Sequence, residues 1–175
     1  MNKSTPLLLS SLVALSLGLS APAHAAGPND AQIAAIVVAA NAVDIDAGKQ
    51  AETKTKNKDV RAFAERMVAD HAGVNQQATA LVQKLHVTPE DNDTSKGLTA
   101  GGAATRTRLA GLSGKAFDKA YVDNEVTYHQ TVLDALDKTL IPNASNAELK
   151  ALLVKVRPAF VAHLEHAKHI QAEFK

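Results

Sequence analysis

Apolar residues recur along this chain in steps of three and four, broken by short polar stretches and prolines. That is the period of a helix and not the alternation of a strand. It predicts four long helices, over residues 30–56, 58–85, 115–140 and from residue 145 to the C-terminus. Asp30 is placed to cap the first, and Lys54 and Lys56 suit the negative end of its dipole. The second ends before HVTPE, where Pro89 forbids continuation. Ser113 is placed to cap the third, and Ile141-Pro142 to stop it. Ser145 and Glu148 have capping-box spacing at the start of the fourth, and Pro158 inside it predicts a kink or short break near Arg157.

The first and second helices, and the third and fourth, are joined by short links, so each pair is an antiparallel hairpin. Between the pairs lies a Gly-, Thr- and Ala-rich crossover containing GLTAGGAATRTRLAGLSG, with a short helix expected over residues 105–112. Two hairpins and one long crossover predict an all-α, ferritin-like up-down four-helix bundle.

Each predicted helix has a stripe that would face the bundle interior. The second gives Val60, Ala64, Met67, His71, Val74, Ala78, Leu81 and Leu85. The third gives Val122, Val126, His129, Leu133, Leu136 and Leu140. The fourth gives Leu149, Leu153, Val156, Phe160, His163, Ala167, Ile170 and Phe174. Each is apolar except for one histidine. The first helix reads two ways. Ile33, Val37, Ala40, Asp44, Ala47 and Ala51 include one carboxylate, whereas Ile33, Ile36, Ala40, Val43 and Ala47 avoid it.

Depth along the bundle brings these residues together. Asp44 and His71 are equidistant from a turn at Asn57-Lys58, so they should be level. His129 and His163 should be offset by roughly 4 residues, or ~6 Å. Glu125 is one turn before His129 and nearly level with His163, and Tyr121 one turn further back. Imidazole and carboxylate ligands suit one divalent transition metal, Zn, Fe, Mn, Ni or Cu. Asp44, His71, His129 and His163 are the candidate ligands, with Asp70, Tyr121 and Glu125 as supporting groups. Asp70 sits about 100° around the helix from His71, so it would orient a neighbour's imidazole. The other reading of the same residues is a buried hydrogen-bond network in a non-enzymatic scaffold or stress protein. A di-iron carboxylate site fits poorly. Glu65 is six residues before His71, Glu125 and His129 are four apart, and no Glu stands at 160.

Composition narrows this further. There is no cysteine, which excludes disulfides and thiolate ligands. Lys3, the apolar run PLLLSSLVALSLGL and Ala23-His24-Ala25 predict a signal peptide over residues 1–25, cleaved before Ala26. Residues 26–175 are then a single domain, periplasmic or secreted, with no transmembrane span and no lipid anchor. Removing Lys3 takes the formal charge from +1 to zero, which leaves no electrostatic footprint for nucleic acid. No protein partner is implied. No nucleophile, phosphate loop or paired catalytic carboxylates stand out, so enzyme chemistry is not indicated.

Three blocks, DIDAGKQAETKTKNKDVRAFAERMVADH, LSGKAFDKAYVDNEVTYHQ and PAFVAHLEHAKHI, resemble an exported bacterial family known as domain of unknown function 4142. Phe63, Met67, Val68, Asp70 and His71 carry one motif; Ser113, Gly114, Phe117, Asp118, Tyr121 and His129 carry another. The resemblance implies a ferritin-like fold and no established activity. It also implies an acidic residue in the first helix, usually Glu, where this chain has Asp44 or Asp46. Members are often labelled outer membrane proteins, but the sequence offers no strands for a barrel.

Overall fold

The computed structural model describes residues 27–174, and the signal-peptide expectation lies outside them. The described residues are helical and contain no strand. α1 spans Asp30–Lys54, α2 Lys58–Lys84, α3 Asp93–Ala110 and α4 Gly114–Ala135. α4 runs on through a π-helical turn, Leu136–Leu140, and a last piece, Ile141–Asn143, that contains Pro142. α5 spans Ala147–Ala172.

Asparagines do the capping. Asn29, not Asp30, caps α1 and forms a capping box with Gln32. This frees Asp30 to accept from the backbone N–H groups of Ser145 and Asn146, at 2.9 and 3.0 Å. Asn57 caps α2, and Asn146 replaces the expected Ser145 at the start of α5. Ser113 stands at the N-cap of α4 without a side-chain bond. Gly114 follows with φ +55°, a conformation that suits only glycine well. No break occurs at Pro158. α5 continues through it, with Pro158 and Val154 on the exposed face, where water can meet the carbonyl that proline leaves unpaired.

The crossover differs most from expectation. In place of a short helix at residues 105–112 stands an 18-residue helix, α3, capped by Asn92 and Ser95. Its glycines and threonines lower intrinsic helicity, but α3 lies on α1. At Gly102 a Cβ would sit 2.7 Å from the methyls of Val43, so glycine lets the two backbones approach. Gln50 donates to the Arg106 carbonyl at 3.0 Å, Lys54 to that of Ala110 at 2.6 Å, and Arg106 pairs with Asp46.

α2 packs along α1 and α5 along α4, and α2 meets α5. The interior has two apolar regions. One contains Ile33, Ile36, Val37, Leu136, Leu140 and Leu153. The other contains Ala47, Ala51, Phe63, Met67, Phe117 and Tyr121. Between them in sequence on α1, α2 and α4 stands a layer of buried polar side chains. α1 is long and apolar enough to cross a membrane, at mean hydropathy 1.4, with half of that stretch buried inside the fold.

Candidate metal centre

The polar layer has contributors from four helices. α1 supplies Asn41 and Asp44, α2 His71, α4 Glu125 and His129, and α5 His163, none more than 2% exposed. Of the two stripes open for α1, the one through Asp44 is the buried one; Val43 is only partly covered. Asp44 and His71 are level, as the turn geometry required, with Oδ2 2.6 Å from Nε2. The histidine offset is smaller than expected. α4 runs to Asn143, so the turn is residues 144–146 and the remaining offset is about two residues, ~3 Å. The three rings form a near-equilateral triangle, with centroids 5.6 Å apart for His71–His129, 5.3 Å for His71–His163 and 5.4 Å for His129–His163. Phe160 covers one side, 5.0 Å from His71.

On each ring, one nitrogen is tied to a partner. Asn41 donates its amide N–H to the Val37 carbonyl at 2.8 Å, which turns its Oδ1 to His71 Nδ1 at 2.7 Å. That oxygen can only accept, so His71 Nδ1 carries the hydrogen. His129 Nδ1 donates to the Glu125 backbone carbonyl at 3.0 Å. His163 Nε2 donates to Asp70 Oδ2 at 2.8 Å.

The second nitrogen of each ring is buried without a hydrogen-bond partner: His71 Nε2, His129 Nε2 and His163 Nδ1. Both Asp44 oxygens and Glu125 Oε2 share that state. His71 Nε2 and Asp44 Oδ2 are nevertheless in close polar contact, 2.6 Å apart. Potential ligand atoms of His71, His129 and His163 lie within 4.8 Å of one another, as do those of Asp44, Glu125 and His129.

Electrostatics fix the charge states. Burial pushes His163 down to about 4, against the pull of Asp70. Burial also lowers His129, although Asp44 opposes it. Both rings are neutral at pH 7 and offer a lone pair on the unpartnered nitrogen. Burial would raise Asp44, but the adjacent His71, through its charge and a hydrogen bond, outweighs that and holds it down to about 2. Burial and the Asp44 charge push Glu125 well above the carboxylate range. The layer therefore holds imidazole lone pairs and one anionic carboxylate, a donor set for a borderline divalent cation.

Asp70 reaches past its own helix to His163 and is half-exposed. Burial raises it, but hydrogen bonds from His163 and Arg66 together outweigh that and hold it below the usual value. Glu125 is fully buried and more central than a supporting role suggests. Tyr121 is fully buried with its hydroxyl unpartnered, and burial raises it well above its usual value. Sequence reasoning missed Asn41. Its signal was a lone amide in VVAANAVD, one turn before Asp44. His169 is exposed and His166 half-buried against Phe63 at 5.2 Å, both apart from the layer.

Fold and site together define an all-helical protein with a buried histidine and carboxylate cluster that could hold a metal ion. The family model described as "Domain of unknown function (DUF4142)" matches residues 17–170, and the chain belongs to that family. No curated protein and no solved structure matches it.

Proposed function

We propose that this chain is an exported, non-enzymatic metal-binding protein of the bacterial envelope. A single divalent transition ion is held by Asp44, His71, His129 and His163 inside a ferritin-like four-helix bundle of α1, α2, α4 and α5, with α3 in the crossover lying on α1. One observation carries the reading. Each imidazole has one nitrogen fixed by a second group and its other nitrogen buried within the layer, where those of His129 and His163 have no hydrogen-bond partner and that of His71 lies 2.6 Å from Asp44 Oδ2. Metal-binding histidines are oriented in this way, by a carboxylate or carbonyl on the far nitrogen. A leader over residues 1–25 would deliver the chain to the periplasm or beyond, with α1 as a core helix rather than a span.

The second reading, a structural network in a scaffold or stress protein, is favoured by Glu125. Its neutral carboxyl beside ionised Asp44 could share a proton with it and need no metal. Metal analysis of untagged protein from the periplasmic fraction separates the two. A stoichiometric first-row metal that dialysis does not remove and a chelator does supports the first. Metal-free protein that ignores added Zn²⁺, Mn²⁺, Fe²⁺, Ni²⁺ and Cu²⁺ overturns it. Intact mass of the same sample tests cleavage before Ala26.

A further inference from the structure

The polar layer is open to different surroundings on different sides. Between α2 and α5 lies a cleft of about 350 Å³ whose walls include Asp70, His71 and His163. Elsewhere, a cavity of about 120 Å³ touches the layer only at Asn41, and its other walls include Phe160, Ile36, Leu136 and Leu153. The groove beneath α3, walled by Val43, Gly97 and Tyr128 among others, includes none of the proposed ligands. A cation cannot shed its water against an apolar wall without a large penalty. It can do so against a carboxylate and imidazoles.

We propose that the ion enters and leaves through the α2–α5 cleft, with Asp70 as its first protein ligand. This rests on the metal centre proposed above. Asp70 is the one partly exposed member of the set, at 42%. Its contacts with Arg66 and His163 both use Oδ2, so Oδ1 is not engaged in either. An ion captured there is one imidazole away from the unpartnered Nδ1 of His163. Lys155, which also lines the cleft, is held to Gln77 at 2.9 Å. Asp70 thus has two roles, orienting His163 when the centre is loaded and handing the ion inward while it loads.

Gly73 permits a direct test. It lines the cleft, and a Cβ there would meet no atom within 4 Å, so a larger side chain can occupy the passage. Gly73→Phe also removes a helix-interior glycine, which favours folding. Gly97→Phe, in the α3 groove, is the control, since a Cβ there is equally free. Co²⁺ uptake by chelator-treated protein, and its release to excess chelator, are followed by visible absorbance in a stopped-flow instrument. Gly73→Phe should slow uptake and release by the same factor, at least about tenfold, ~1.4 kcal/mol on the barrier, at unchanged affinity. Gly97→Phe should change neither rate. Asp70→Asn should slow uptake and also weaken affinity by about 10- to 100-fold, because it loosens His163. If Gly73→Phe does not fold by circular dichroism, Ala159→Phe on the facing wall replaces it. Unchanged rates in the cleft variant, or slowing only in Gly97→Phe, overturn the route while the centre stands. A wild type that takes up no Co²⁺ or Zn²⁺ overturns both.

Discussion

The two apolar regions flanking the polar layer share helices but are packed differently. On one side Phe63, Met67, Leu109, Phe117 and Tyr121 are all at 0% exposure, with Ala51 and Ala64 filling the spaces between them. On the other, branched aliphatics such as Ile36, Val37, Leu136 and Leu153 surround a cavity of about 120 Å³. Regular helices do not guarantee uniform density; matching large side chains to small ones does. The layer thus rests on a tight wall near Tyr121 and a more yielding one beyond Asn41 and Phe160.

The largest test removes a piece of the tight wall. Phe63→Ala should cost ~3–5 kcal/mol in denaturant unfolding, whereas Leu136→Ala beside the cavity should fall nearer ~2 kcal/mol, because its neighbours can relax. Equal losses would mean that the difference in packing is not a difference in energy.

The layer itself should respond to metal. An ion at 100 times its Kd stabilises the folded chain by about 2.7 kcal/mol. At roughly 2–4 °C per kcal/mol, that raises Tm by about 5–11 °C. His71→Ala or His129→Ala should erase the rise, and His169→Ala should preserve it. The rise should fall away as pH drops towards about 4, where His163 takes up its proton and no longer coordinates.

In chelator-treated protein the layer should also be the acid-sensitive slice. The folded state resists protonation of His163 until about pH 4, and lowers His129 as well. Unfolded histidine takes up its proton near 6.5. The unfolded state therefore binds more protons in that window. The stabilisation is complete above ~6.5 and is lost as pH falls towards 4, by at most about 1.4 kcal/mol per pH unit for each ring. A His163→Phe variant should show a flatter urea-midpoint profile across that window, and Phe63→Ala an unchanged slope.

The smallest effect concerns added volume. Ala135→Val points extra methyls at the cavity and should gain up to ~0.8 kcal/mol for each buried carbon. Ala51→Val, in the tight region, should lose ~1 kcal/mol or more. Thermal melts of the pair would reverse the packing assignment if the signs came out opposite.

Much of this was legible in the sequence because three stripes were apolar except for one histidine each. His71, His129 and His163 could be placed by step-counting alone, and Asp44 followed from its distance to the turn. Asp70 was assigned to a neighbour's imidazole by its angle on α2, and it contacts His163. Other features were hidden for physical reasons. α3 owes its length to contacts with α1 at Gly102, Gln50 and Lys54, which local propensity cannot register. Asn41 reads as a surface amide until its partner, 30 residues away, is known. Asp30 looked like a cap because its carboxylate stands at a helix start. Its contacts are instead with the start of α5, 115 residues on.

Asp44 would also bear on how the proposed precursor crosses a membrane. α1 has the length and apolarity of a span, and in the proposed precursor it would follow the leader closely. A translocation channel samples each apolar segment for lateral release into lipid. An aspartate near the middle of such a segment adds about 2.5–3.5 kcal/mol against that release. The residue offered as a ligand in the folded protein would then also work before folding, as a passport that keeps α1 moving through the channel. Asp44→Leu would remove a ligand and a passport at once, and a fraction of the chains should be found stranded in the inner membrane.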